Sequence, residues 1–301
     1  MLGFKRVKNV RRVWACTIMG SLLLPLTCVA VGTGGEQDSV AMVSGHRVEP
    51  VVGSYDQDVD PCHFTHWRRY QGTELYKNDD DAQRAYFFVN DQVAVDAGGA
   101  PNAYHPEDKG LDYLVNAGYP DSTWWPDVLV SDPKNQSVAY LQPSGEFEGY
   151  FISKTTLEDQ DKSVFDVQRY VDATTVPYVV FPSTFYKQSG TGLMGDIGVA
   201  IHLSSGKMSG FVVADVDPGR ADLGEMSIKL AESLSGKTAN PKNEAGAPKG
   251  EILYILFPYS AREHPWPLNI DAIQRIALSQ LKQVGGKETV VLCSAKEFDP
   301  E

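Results

Sequence analysis

The stretch from Phe211 to Leu234 constrains the fold more than any other part of the 301-residue chain. Phe211-Val-Val-Ala214 is short, apolar and rich in Val, the signature of a buried strand. The run stops at Asp215. Asp217-Pro218-Gly219 then forces a turn, because Pro restricts φ and Gly accepts positive φ. Met226, Ile228, Leu230, Ala231 and Leu234 follow at mostly helical spacing, and Gly236 suits a helix stop. The order predicted is strand, carboxylate-bearing turn, helix, with Asp215 at the strand end and Glu225 at the helix start. Two roles fit these acids. They serve the turn and the positive end of the helix dipole, or they form a catalytic pair.

Further short apolar runs surround this unit. Tyr86–Asn90, Gln92–Val95, Val128–Val130, Ala139–Leu141, Tyr150–Thr155 and Tyr178–Phe181 read as strands separated by Pro and Gly turns. Ile197–Leu203, a Ser204-Ser-Gly-Lys207 turn and Phe211–Ala214 predict a hairpin. Glu251–Phe257 is the strongest late strand, Asp271–Val284 has helical periodicity, and Val290–Cys293 reads as a last strand. Many short strands with few helices predict a β-rich or barrel architecture.

The first 32 residues read as a secretory signal peptide. Lys5, Arg6, Lys8, Arg11 and Arg12 precede the apolar run Val13–Leu24, and small residues follow near Ala30. That run is too short, and too broken by Pro25, to predict a membrane span. Removing five cations from the net charge of −12 leaves −17. Such acidity excludes nucleic acid as a natural partner and suits a cationic one. Residues 33–80 are expected to form an N-terminal extension docked through Trp67, Tyr70, Leu75 and Tyr76. The main domain is expected to span 81–301. After export two cysteines remain, Cys62 and Cys293, and an even pair in an exported protein predicts a disulfide. Cys62, His63 and His66 lack the usual ligand spacing, so no metal is expected.

No Gly-x-Ser-x-Gly elbow, phosphate loop, dinucleotide fingerprint or His-Glu-x-x-His occurs in the chain, and no cofactor is expected. Acidic residues in turns remain, the profile of glycoside hydrolysis by two carboxylates. Asp196, at the hairpin entry, is a third acid with two readings: a turn residue, or a group that orients water or holds an amino sugar. Trp124 and Trp125 before Pro126 fit either a core or a stacking surface for a polymer.

Four segments carry a family resemblance: Val95-Asp96-Ala-Gly-Gly-Ala-Pro-Asn-Ala-Tyr104-His-Pro106, Arg169-Tyr-Val-Asp172, Gly195-Asp196-Ile-Gly-Val-Ala-Ile201, and Asp215 through Gly224-Glu225-Met-Ser-Ile-Lys-Leu-Ala231. They resemble glycoside hydrolase family 75, in its bacterial-type branch, over roughly Tyr86 to Leu256. The resemblance implies a secreted endo-chitosanase with Asp215 and Glu225 as the catalytic pair. Asp96, Tyr104, Asp196, Trp124 and Trp125 are the expected substrate-binding residues. The strand–turn–helix unit also resembles double-psi β-barrels, which implies a six-stranded barrel core with elaborating loops. An inverting mechanism is expected. Asp215, beside Asp217, is expected to be the acid, and Glu225, at a helix N-terminus, the base. The partner would be a chitosan-like polysaccharide and the protein a secreted monomer with no lasting membrane contact. A peptidoglycan-cleaving enzyme on the same barrel and an expansin-like wall-binding protein are the alternatives.

Overall fold

The computed structural model describes residues 62–80, 84–217 and 221–298. Nine strands form one mixed sheet: β1 (Phe64–Tyr70), β2 (Thr73–Asn78), β3 (Tyr86–Asn90), β4 (Val95–Asp96), β5 (Tyr178–Pro182), β6 (Ile197–His202), β7 (Met208–Asp217), β8 (Met226–Ser227) and β9 (Ile252–Phe257). Five helices accompany them: α1 (Trp125–Val128), α2 (Ser183–Tyr186), α3 (Ile228–Ser235), α4 (Ile270–Gln283) and α5 (Gly286–Phe298). The signal segment and the first part of the expected extension lie outside the described residues.

The strand order is β1-β2-β3-β9-β6-β7-β5-β8-β4. All six residues of β9 are buried, as its unbroken apolar run requires of a central strand between β3 and β6. The predicted hairpin is β6 and β7, antiparallel, with Ile197 opposite Val212. β5 pairs with β7 and β4 with β8 in parallel, whereas the other ladders are antiparallel. The chain is thus mainly β with few helices. Its ladder ends at β1 and β4 and does not close among the described residues. Strands β1 and β2 come from the stretch expected to be an extension, and β2 pairs with β3, so these residues continue the same sheet.

Helix α4 covers the sheet with Ile273, Ile276, Ala277 and Leu281, spaced to share one face. Each large apolar side chain buried in this way contributes about 1.5–3 kcal/mol. Close approach needs Gly210 in β7, where a Cβ would lie 2.6 Å from the Ala277 Cβ. Asn269 caps α4 by accepting the Ala272 N–H at 2.8 Å.

Three local expectations fail. The strand expected at Gln92–Val95 is reduced to the two-residue β4, which takes only Val95 from that run. Val290–Cys293 is helical, within α5. Val290, Cys293 and Ser294 are buried and Leu292 is exposed, which is helical spacing rather than alternation. The strands expected at Val128–Val130, Ala139–Leu141 and Tyr150–Thr155 reduce to single bridges, Leu129 to Ser153, Ser131 to Ala139 and Leu141 to Phe151. The Pro and Gly turns between them leave too few consecutive residues for a ladder. The expected disulfide is present: Cys62 and Cys293 are bonded, with Cα atoms 5.3 Å apart.

Candidate active site

Asp215 and Asp217 close the C-terminal end of β7. Two residues apart on a strand, they share a face. β5 lies beside β7, with Val180 opposite Asp215. On the other side of β5, the Val180 N–H donates to the Glu225 carbonyl at 3.1 Å. Asp215 and Glu225 therefore flank one residue of β5, with their backbones about two strand spacings, or roughly 10 Å, apart. β8 follows Glu225 at once and pairs with β4, setting Asp96 opposite Ser227. Four acids from three strand ends converge.

The segment that delivers Glu225 is built to a tight pattern. Gly224 has φ +124°, and a Cβ there would lie 2.2 Å from the Gln92 carbonyl oxygen. Asn90 Nδ2 donates to the Leu223 carbonyl, and Tyr254 Oη donates to the Gly224 carbonyl at 3.3 Å. Gly224→Ala is expected to lower stability by at least about 1–3 kcal/mol and to displace Glu225. Chemical denaturation measures the first effect, and an unchanged midpoint would contradict this account.

Helix α3 begins at Ile228, and Ser227 is its cap, accepting the Leu230 N–H at 3.1 Å. Glu225 precedes the cap, so the expectation of a first-turn glutamate stabilised by the helix dipole is corrected. What surrounds Glu225 is negative. Its carboxyl is hydrogen-bonded to Asp217 and lies near Asp96 and Asp215, and burial followed by these contacts raises its pKa well above the ordinary value.

Asp215 is held from one side. Its Oδ1 accepts the Thr156 N–H at 2.9 Å, the Thr156 hydroxyl at 2.6 Å and the Val216 N–H at 2.8 Å. Burial raises its pKa to about 6 in spite of these donors, and Asp217 adds to the rise. Asp96 accepts the Tyr178 hydroxyl at 2.6 Å and the Gly98 N–H at 2.8 Å. Burial and then the charge of Asp215 push its pKa up to about 7. Among the described residues no salt bridge neutralises any of the four.

The sign of the pH dependence follows. Both aspartates have folded pKa values above their unfolded ones. Their contribution to stability is complete below about pH 4 and is lost as the pH rises through about 6 for Asp215 and about 7 for Asp96. Asp96→Asn is expected to flatten the fall in melting temperature above about pH 5, relative to wild type. Melting curves across that range measure it, and parallel falls in the two proteins would count against it.

Asp217 and Glu225 line two different depressions. One of about 630 Å³ is lined by Asp217, Val216, Thr156, Lys154, Tyr186 and Lys187, among others. The other, about 310 Å³, is lined by Glu225, Gln92, Val93, Asp222 and their neighbours.

The remaining expected site residues divide. Tyr104 is 3% exposed and close enough to Asp96, Glu225 and Asp217 for their charges to raise its pKa further, after burial. Asp196 lies elsewhere, 1% exposed. It accepts the N–H groups of Leu193, Tyr259 and Ala261 at 2.6, 2.8 and 2.9 Å. Those bonds knit the hairpin entry to the turn after β9, which is the turn reading of this residue. Trp125 is a core residue, 6% exposed and edge-on to Tyr119, with no face left for a polymer. Trp124 is half-buried against Gly118. Thr156 and Tyr178, which hold two of the acids, carry no sequence signal, because 59 and 82 residues separate them from their partners. Among the described residues no cluster has the makeup of a metal site.

Residues 138–287 match the family described as fungal chitosanase of glycosyl hydrolase group 75. The matched span holds β5 through β9 and α4, with Asp215 and Glu225 inside it and Asp96 and Tyr104 before it. The similarity supports a glycosidase of chitosanase type acting on a polysaccharide. No curated protein matches the chain.

Proposed function

We propose that the protein is an exported, endo-acting hydrolase of β-1,4 bonds in chitosan-like polymers, working with inversion through Glu225 and Asp215. The observation that carries this reading is the pairing of a crowded, proton-retaining Glu225 with an Asp215 anchored two strands away. An inverting glycosidase separates its carboxyl groups by about 6.5–9.5 Å so that water fits beside the sugar, and a two-strand offset suits that spacing.

Glu225 is the general acid and Asp215 the general base, the reverse of the roles expected from the sequence. A carboxyl hydrogen-bonded to a second carboxyl needs a proton on one of the two, and burial with three neighbouring acids favours keeping it. The Glu225 proton passes to the glycosidic oxygen as the bond from the anomeric carbon breaks. Asp215, held through Oδ1, takes a proton from a water whose oxygen attacks that carbon from the opposite face. Asp217 sustains the proton on Glu225, and Asp96 keeps the far side of the pocket acidic.

The substrate class rests on charge and on the family match. Four acids that have no paired cation among the described residues, on a chain of net charge −12, attract the ammonium groups of glucosamine units. Residues 1–32 are the export signal in this reading, and the Cys62–Cys293 bond suits the oxidising compartment it leads to. The double-psi reading of the core belongs to β9, β6, β7, β5, β8 and β4, six strands that include both parallel pairs.

A reducing-end assay on chitosan, chitin, cellulose and peptidoglycan tests the proposal. New ends from chitosan with rapid loss of viscosity are expected. Cleavage of peptidoglycan alone would replace the substrate, and tight polymer binding without new ends would replace catalysis by an expansin-like role.

A further inference from the structure

The turn after β9 builds a second, two-lobed depression. One lobe, about 440 Å³, lies between that turn and α4, where Gln280 and Gln283 line it together with one acid, Glu263. The other, about 150 Å³, reaches Trp67, Lys77 and Gly190. The lobes share Arg84, Pro258 and Tyr259.

Tyr259 has φ +70°, a conformation bulky residues rarely adopt. The fold holds it there. Its N–H and that of Ala261 are tied to buried Asp196, and the Ser260 hydroxyl accepts the Ile197 N–H at 2.8 Å. Backbone strain that its surroundings enforce in this way clusters at ligand sites.

Cations gather on the rings. The guanidinium carbons of Arg84 and Arg262 lie 5.5 and 4.7 Å from the centre of the Tyr259 ring, and that of Arg68 lies 3.4 Å from Trp67's. Arg68 is fixed further by bonds to Gln188 Oε1 at 2.7 Å and the Ser189 carbonyl at 2.8 Å. Among the described residues neither Arg84 nor Arg262 has a carboxylate within ion-pair range. Both arginines line the larger lobe, so an anion bound there meets two cations.

We propose that this depression is a binding site for an acidic saccharide, a sugar bearing a carboxylate or a phosphate, separate from the four-acid cluster. Guanidinium forks match such oxyanions two bonds at a time. The Tyr259 ring offers an apolar face to a sugar ring, and the two glutamines offer amides to its hydroxyl groups. Amino sugars are repelled here, so this site and the acid cluster select opposite charges. A long nucleic acid is disfavoured by the net charge of −12.

Calorimetric titration of the full protein tests the proposal, with trigalacturonate, a phosphorylated trisaccharide, cellotriose and chitotriose as probes. Saturable binding of an acidic probe is expected, and which one binds tells carboxylate from phosphate. The Arg84→Gln/Arg262→Gln variant should weaken it about tenfold or more. Tyr259→Gly relieves the backbone while removing the ring, so it should weaken binding without loss of melting temperature. The proposal is overturned if neither acidic probe saturates, if cellotriose binds as well, or if the double-arginine variant binds like wild type.

Discussion

Glu225→Gln is expected to lower chitosan cleavage by about 10²–10⁴-fold, the usual contribution of one general acid–base group, with the melting temperature held or raised. The substitution keeps shape and removes the transferable proton. It also removes a charge from a crowd of four, so lost folding is not the expected cause of lost rate. Asp215→Asn is expected to cost a similar factor, because the amide still accepts the Thr156 and Val216 donors but takes no proton from water. Asp217→Asn separates the roles. It leaves both reacting carboxyls in place and withdraws the charge that helps Glu225 keep its proton, so the alkaline limb of the pH–rate profile should move to lower pH. The acidic limb, set by Asp215, should fall slightly below about 6, because the charge of Asp217 also adds a little to the Asp215 rise. Near wild-type cleavage by both isosteric variants would remove the pair from the mechanism.

Cys293→Ser is expected to be strongly destabilising. The Cys62–Cys293 bond closes a loop with a sequence separation of 231. Chain-entropy arguments assign a loop of that size about 5 kcal/mol, and loss of native disulfides in practice costs about 2–5 kcal/mol. The bond joins the residues leading into β1 to helix α5, which packs against α4. Loss should therefore loosen the β1–β2 edge and α5 together. Denaturant unfolding with and without reductant measures it. A midpoint that is unmoved by reductant, and equal in the serine variant, would show that the bond adds nothing to stability.

The strand–turn–helix unit was legible because its signals are local. A Val-rich run and a helical repeat became β7 and α3, and the Pro218-Gly219 turn expected between them lies outside the described residues. β9 was legible for the same reason, since six consecutive apolar residues need cover on both faces. Val290–Cys293 misled because a run of four cannot distinguish periods of 2 and 3.6 without its neighbours. The small strands of residues 128–155 misled because each has the composition of a strand but lacks the length for a ladder.

From the sequence alone came the acids, the exclusion of common nucleophile and phosphate motifs, and the cysteine pair that the structure joins. Composition and local spacing carry such information. Tertiary structure decided which acids come together. Asp96 meets Asp215 only because β4, β8, β5 and β7 lie in that order, and Asp196 is drawn away because three backbone N–H groups claim it. Trp125 went to the core while Tyr104 came up to the acids. The proton affinity of Glu225 was likewise beyond local reading. A pKa depends on which charges and how much water lie within a few ångströms, and those neighbours come from distant parts of the chain.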